Sequence, residues 1–241
     1  MVEKLRELMR SGKWIELYHK VDEPSKFLFG RVLCVNEDEL AILVVDDNGR
    51  YDGISWLPID MVRYLLSDTK YCRNFETLIA SEALPSEVPV LDESNIRDSL
   101  LAYARKHCTI ISIQVDESDE FDFSGFVTDY RNGLYKFHVV DNYGDSDGVC
   151  YVDANRIRFM DYDSSVTNRY FKLWCKKHPK NKKARTLRTI RRVRLFNPSA
   201  PSISPHPSQS SQLQLESVCR CSSTPRGPCI PGLRSRAPAC G

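Results

Sequence analysis

The sequence predicts a mainly β fold with flanking helices, built as two tandem five-stranded small barrels and followed by a disordered basic tail. Three observations support this prediction. Runs rich in β-branched and aromatic residues recur between turn-forming residues in the first 170 positions, as expected for short strands. These runs repeat at an offset of about 95 residues. The charge also changes sign, because residues 1–171 hold 19 basic and 31 acidic residues, whereas residues 172–241 hold 15 basic residues and one acidic residue.

The repeat is clearest in two pairs of segments. VDEPSKFLFGRV, which begins at Val21, corresponds to VDESDEFDFSGFV, which begins at Val115 and has one extra residue. Val44–Gly53 and Val139–Gly148 then align without a gap. Because the apolar positions and both loop glycines coincide, we interpret this part of the chain as two copies of one module.

Both copies follow the same order of helix, five strands and helix. Apolar residues three and four positions apart predict the helices. They are Val2, Leu5, Leu8 and Met9, then Tyr71, Phe75, Leu78 and Ile79 in copy one, and Ile96, Leu100, Tyr103 and Ala104, then Val166, Tyr170, Leu173 and Trp174 in copy two. The predicted strands are Trp14–His19, Phe27–Val35, Leu40–Val45, Ile54–Leu57 and Val62–Leu65 in copy one, and Thr109–Val115, Phe123–Asp129, Leu134–Val140, Val149–Val152 and Ile157–Met160 in copy two.

Five short strands are too few for a sandwich, and a small open sheet would expose two unpaired edges. Closing the sheet into a barrel removes those edges, so we predict one small barrel per copy. Asn132-Gly133 between two strand runs predicts a type I′ hairpin within the second barrel. The predicted domains are residues 1–82 for the first helix-plus-barrel repeat, 83–91 for a linker, 92–178 for the second repeat and 179–241 for the tail.

The segments FGRV, VVDDNGRYDG and IDMVRYL resemble those of the Sm-like or SH3-like small β-barrels of uncharacterised bacterial proteins. The resemblance covers roughly residues 1–80 and 91–173 and implies a barrel fold for each copy. Sm proteins grip a uridine through an Asp and an Asn between their second and third strands. This sequence has Asn36–Glu39 and Arg131–Gly133 there, so the RNA site of that family does not carry over.

The acidic loops Asp46–Gly53 and Asp141–Gly148 are the most prominent polar feature of the repeats. A calcium loop needs an oxygen ligand at position 5 and a Glu at position 12. Position 5 of the first loop is Arg50, and position 12 counted from Asp141 is Val152. Because Asp, Asn and Gly are the preferred turn residues, we interpret both loops as turns and expect no metal.

The sequence offers little support for catalysis. The five histidines have no partners at metal-ligand spacing, and no P-loop, G-x-S-x-G or H-E-x-x-H motif is present. Cys34 and Cys150 lie in or beside strands without a nearby His, which favours small buried residues over nucleophiles. Asp22-Glu23 and Asp116-Glu117 fit exposed hairpins better than an acid–base pair. We therefore predict that the chain is not an enzyme and holds no cofactor.

Four residues beside the acidic loops are the candidate binding residues. Trp56 and Tyr151 occupy the same repeat position, and so do Asp52 and Asp147. An aromatic side chain at the rim of a barrel can anchor a peptide or stack on a base, and it can also close the end of the barrel. We predict a non-enzymatic module that binds a protein or peptide through the barrel rims, with these four residues as its site.

The basic segment Lys172–Arg194 provides an alternative function, nucleic-acid (RNA) binding. It holds 11 basic residues and no acidic one, which is typical of a phosphate-binding surface. The candidate residues are Lys176, Lys177, Lys182, Lys183, Arg188, Arg191 and Arg192. The same segment can instead bind the acidic body of the chain, or have no specific partner.

The remainder of the tail, residues 197–241, holds ten serines, eight prolines and no aromatic residue, a composition that predicts disorder. The spacing of its four cysteines fits no zinc site. A frameshifted or fused reading frame would produce the same abrupt change, and the tail would then have no evolved function. No apolar run is long enough to span a membrane and the charged N-terminus is unlike a secretory signal, so we expect a cytoplasmic protein without a membrane partner.

Overall fold

The computed structural model describes residues 1–20, 23, 25–79, 84–85, 87–116 and 121–179. Its helices are α1 (Val2–Ser11), α2 (Lys70–Leu78), α3 (Ile96–Lys106) and α4 (Ser165–Lys177). Its strands are β1 (Ile15–Tyr18), β2 (Leu28–Val35), β3 (Glu39–Val45), β4 (Tyr51–Pro58), β5 (Tyr64–Ser67), β6 (Ile110–Val115), β7 (Phe123–Arg131), β8 (Leu134–Val140), β9 (Ser146–Asp153) and β10 (Ile157–Tyr162). Among these helices, none has the length and apolar character needed to cross a membrane.

The ten strands form one antiparallel sheet in the order β5-β1-β2-β3-β4-β10-β6-β7-β8-β9. The prediction of a mainly β fold with flanking helices is therefore confirmed, and each predicted strand has a counterpart. The two halves of the sheet share their strand order and their pairing register. The corresponding pairs are Ile15–Gly30 and Ile111–Gly125 between the first two strands of each half, and Leu17–Leu65 and Ile113–Met160 between the first and the fifth.

The sheet is not closed, and the prediction of two tandem barrels is not confirmed. In the middle of the sheet, β4 of the first half pairs with β10 of the second half, with Trp56 opposite Met160. This pairing, which we call the junction, satisfies the backbone groups of β4 that closure of the first barrel would have satisfied. The strands β5 and β9 are left at the two ends of the described sheet, each paired on one side only.

The core continues across the junction. One hydrophobic cluster lies beneath α1 and includes Leu5 and Leu8, together with Phe159 of β10. A second cluster lies beneath α3 and includes Leu100, together with Trp56 of β4. Each half therefore contributes a large aromatic side chain to the core of the other half, so the junction buries apolar surface in addition to its strand pairing.

The turns between the strands follow the sequence prediction. Asn132 and Gly133 have φ values of 51° and 78°, which gives a type I′ hairpin between β7 and β8. In the acidic loops, Asp46 Oδ1 accepts two backbone N–H bonds of its own loop at 2.9 Å, and Asp141 Oδ1 accepts two at 2.9 and 2.8 Å. These carboxylates therefore close the turns through Asx-type hydrogen bonds.

Candidate functional site

The four candidate binding residues lie in two equivalent places. Asp52 and Trp56 belong to β4 at the junction, whereas Asp147 and Tyr151 belong to β9 at the end of the sheet. The outer side of β9, which we call the outer edge, faces no strand of the described residues. The structure therefore does not bring the four residues together, and it separates them into a covered pair and an uncovered pair.

Burial distinguishes the two aromatic residues sharply. Trp56 is 2% exposed and lies in the core cluster beneath α3, whereas Tyr151 is 63% exposed. Two residues away on the same face of each strand, Ile54 is buried and Val149 is 51% exposed. The side chains of Tyr151 and Val149 are therefore exposed, whereas Trp56 is enclosed by the second half of the chain.

The acidic positions differ in the same way. Asp52 Oδ1 accepts a hydrogen bond from the backbone N–H of Ser165 at 2.6 Å, at the first residue of α4. Asp147 is exposed and makes no such bond to a described residue. A Cβ atom added to Gly53 would lie 2.5 Å from the carbonyl oxygen of Tyr162, whereas one added to Gly148 would meet no atom of the described residues within 4 Å. Residues 162–164 therefore fill a space beside β4 whose equivalent beside β9 no described residue fills.

The outer edge combines the features of a strand-binding surface. Its backbone N–H and C=O groups face no described strand, and unpaired groups of this kind are a template for an added strand. Val149 and Tyr151 point to one face because side chains alternate along a strand. The ammonium of Lys136 lies over the Tyr151 ring, 5.6 Å from its centre, in a cation–π contact. Asp147 and Asp153 give the exposed strand an acidic flank at each end.

A cavity of about 870 Å³ opens beside the junction, and its lining includes His19, Gln114, Phe159, Asp161 and Asp52. His19 is only 9% exposed, its Nδ1 has no hydrogen-bond partner among the described residues, and burial lowers its pKa to about 4. Burial raises the pKa of Asp161 to about 7, although Ser55 Oγ donates to its carboxylate at 2.5 Å and so favours the charged form. In weakly acidic solution, both His19 and Asp161 are therefore predominantly neutral.

Most of the basic candidate residues lie outside the described part of the chain. These are Lys182, Lys183, Arg188, Arg191 and Arg192. Lys176 and Lys177 are exposed in the last turn of α4, where Lys177 Nζ pairs with Asp145 Oδ2 at 2.6 Å. One of the two described candidates is thus already paired with an acidic residue of the body.

The described residues contain no group of three or more His, Cys, Asp and Glu side chains placed to hold a metal ion. Burial raises the pKa of Cys34 to about 11 and also raises the pKa of Cys150. Because the thiolate is the nucleophilic form, both thiols are weakly reactive at neutral pH. Of the acidic pairs considered in the sequence, Asp22 and Glu117 lie outside the described residues.

Three residues of the site were not predicted from the sequence. The sequence predicts a strand at Val149 and a loop at Gly148. Nothing in the sequence distinguishes these two residues from Ile54 and Gly53, their equivalents in copy one. Asp161 did carry a signal, because it stands where copy one has Leu66. An acid that replaces an apolar residue in a strand indicates a different environment for the two copies.

No protein-family model, no curated protein and no solved structure matches this chain. The resemblance to Sm-like or SH3-like barrels therefore stays a prediction.

Proposed function

We propose that the chain is a cytoplasmic, non-enzymatic binding module that pairs an extended segment of a protein partner with β9, and that Tyr151 is the anchoring side chain. The observation that carries the proposal is the contrast between two equivalent strands. Both sides of β4 pair with strands, whereas one side of β9 pairs with no strand of the described residues, and two of its apolar side chains are exposed. We also propose that each half is a small-barrel module, which the shared strand order and register support.

The chemistry of the outer edge suits a peptide bound in β conformation. Main-chain hydrogen bonds to β9 would supply affinity, and the side chains of Val149 and Tyr151 would supply selectivity for alternate residues of the peptide. A tyrosine buried at the centre of such a contact is a common hot spot, since it adds apolar area at a low entropic cost. The flanking Asp147 and Asp153 favour a segment that carries basic residues near its ends.

We expect Tyr151→Ala to weaken peptide binding on the order of tenfold or more, because truncation of a hot-spot residue typically costs over 1 kcal/mol. The measurement is a titration of the full chain with peptides selected from a library of extended sequences. Tyr143→Ala is the matched control, since Tyr143 is an exposed tyrosine in the loop before β9. An equal loss in both variants, or unchanged affinity for Tyr151→Ala, would contradict the proposal.

The alternative function is RNA binding through residues 172–194, and the run of 11 basic residues without an acidic one favours it. With about six phosphate contacts, the logarithm of the association constant should fall against the logarithm of salt concentration with a slope of about −5. A gel-shift titration of the full chain with single-stranded RNA at several salt concentrations measures this slope. Absence of binding at low salt would exclude this function.

A further inference from the structure

We infer that the cavity beside the junction binds a small organic cation, a primary amine carried on an apolar or aromatic group, with the Asp161 carboxylate as its counter-ion. The volume of about 870 Å³ lies within the usual range for small-molecule sites. The described lining of the cavity includes no residue of β9. This site is therefore distinct from the outer edge and does not depend on the partner of β9.

Asp161 belongs to a row of polar side chains that crosses the middle of the sheet. The four members are direct cross-strand neighbours on β4, β10, β6 and β7, so they share one face: Ser55, Asp161, Ser112 and Ser124. The hydroxyls of Ser112 and Ser124 lie 2.7 Å apart, and Ser55 Oγ donates to Asp161 Oδ1 at 2.5 Å. Asp161 Oδ2 has no hydrogen-bond partner among the described residues and is not enclosed by them, so it is open to a ligand.

A second polar side chain without a partner lines the same cavity. Gln114 is 8% exposed, and its amide makes no hydrogen bond to a described residue. It lies two positions after Ser112 on β6, so it shares the face of the polar row. A buried amide without a partner costs free energy. An ammonium group carries three N–H donors, so it can bond the Gln114 oxygen and Asp161 Oδ2 together.

The charge of the lining favours a cation. Four aspartates line the cavity, and none of them forms an ion pair with a described residue: Asp46, Asp47, Asp52 and Asp161. The two lysines of the lining, Lys20 and Lys26, lie 3.5 and 2.6 Å from the carboxylate of Glu23, which compensates part of their charge. The cavity therefore has an excess of acidic charge, which attracts cations.

Aromatic rings from both halves of the chain contribute to the walls of the cavity. Phe159 of the second half stacks on His19 of the first, with ring centres 5.1 Å apart, and Phe121 lies 5.7 Å from Phe159. In the first half, Tyr71 meets Phe29 edge to face at 5.2 Å. Such rings can pack against the apolar part of an amine, and a ring face within about 6 Å attracts its positive charge.

The fold alone does not explain a carboxyl group at position 161. Burial and the charge of Asp52 raise the pKa of Asp161 to about 7, so its charged form lowers stability, and the equivalent residue of copy one is Leu66. A titratable group perturbed in this way inside a cleft is typical of functional sites. A bound cation favours the carboxylate, so binding in weakly acidic solution should release a proton from Asp161.

The pH dependence of binding follows from this linkage. Besides the aspartates and lysines, the ionisable side chains of the lining are His19, Tyr71 and Tyr170. The pKa of His19 is about 4, and burial raises the pKa of Tyr71, so neither side chain changes its charge near neutral pH. The association constant for an ammonium ligand should therefore rise by up to about tenfold per pH unit below about pH 7, and level off above it.

The test is isothermal titration calorimetry of the full chain with phenethylamine, which stays protonated across this range. Phenethyl alcohol, the neutral probe of similar shape, should bind on the order of tenfold more weakly at about pH 8. Asp161→Asn should weaken amine binding on the order of tenfold or more at about pH 8 and remove its pH dependence. Asp147→Asn, which removes an exposed aspartate at the repeat position of Asp52, is the matched control and should bind like the wild type.

Gln114→Met keeps the size of the side chain and removes its amide, so it should weaken amine binding by about tenfold. Circular dichroism checks that each variant folds. Absence of phenethylamine binding at millimolar concentration, equal binding of phenethyl alcohol, an association constant that falls with rising pH, or wild-type affinity in Asp161→Asn or Gln114→Met would overturn the inference. Tyr151→Ala should bind the amine like the wild type, so failure at this cavity and failure at the outer edge are distinguishable.

Discussion

Trp56→Ala is expected to lower the free energy of unfolding by about 3–5 kcal/mol, whereas Tyr151→Ala should change it by less than about 0.5 kcal/mol. The two residues occupy the same repeat position, and their environments alone explain the difference. Trp56 fills the space between β4 and α3, so its truncation removes buried contacts and leaves a cavity. Tyr151 projects from an uncovered strand, where truncation changes little buried surface.

Urea denaturation measures both values. Trp56→Phe is an informative control, since the indole Nε1 has no hydrogen-bond partner among the described residues. Phenylalanine keeps much of the apolar contact and removes no hydrogen bond, so it should cost less than alanine. Equal effects of Trp56→Ala and Tyr151→Ala would contradict the structural distinction between the junction and the outer edge.

The elements of the fold were predictable because they depend on local patterns. Alternating apolar residues are needed wherever one face of a strand is buried, so they reveal the strand whatever its neighbours are. The hairpin at Asn132-Gly133 was predictable for a related reason, since both residues must adopt positive φ there. These signals depend on neighbouring residues of the chain and do not require knowledge of the sheet order.

The pairing of β4 with β10 was not predictable from those patterns. A strand edge carries the same backbone groups whether it pairs within its own half or with the other half, so the alternation of side chains does not distinguish the two outcomes. Barrel closure is the simplest way to remove the edges within one half, and the pairing of β4 with β10 covers one edge of each half without closing the sheet. Among the described residues, the consequence is that one edge strand of each half, β5 and β9, pairs on one side only.

For the same reason, the sequence predicts the positions of the candidate site but not how exposed they are. The repeat identified the right positions, because Trp56 and Tyr151 correspond, and so do Asp52 and Asp147. It could not assign them different exposures, since that difference arises from which strand lies next to each. The replacement of Leu66 by Asp161 at the equivalent position was a local sign that the second half has a different neighbour.

Asp161→Asn is expected to make the fold more stable than the wild type at neutral and higher pH. Burial raises the pKa of Asp161 from 3.8 to about 7, and the charge of Asp52 contributes in the same direction. Between those values, the folded chain holds a proton that the unfolded chain has released. The contribution of the neutral Asp161 carboxyl group to the stability of the wild type is therefore present at low pH. It is lost as the pH rises through about 7.

The difference in unfolding free energy between Asp161→Asn and the wild type isolates the contribution of the Asp161 carboxyl group to the pH dependence of stability. It should grow by roughly 2–4 kcal/mol between about pH 4 and about pH 8, because one unit of pKa shift corresponds to about 1.4 kcal/mol. His19 acts with the opposite sign: its pKa of about 4 means that stability is lost as the pH falls below the ordinary range of histidine. His19→Gln should therefore leave in place the loss of stability that Asp161 causes between about pH 4 and about pH 7.

Ser55→Ala provides a second test that Asp161 is the group whose titration lowers the stability. The Ser55 hydroxyl donates to the Asp161 carboxylate and stabilises its charged form, so its removal should raise the pKa of Asp161 further. The loss of stability should then move to higher pH, whereas in Asp161→Asn it should disappear. A loss of stability between about pH 4 and about pH 7 that persists in Asp161→Asn would show that another group titrates. The junction would then not hold a buried carboxyl group as the structure describes.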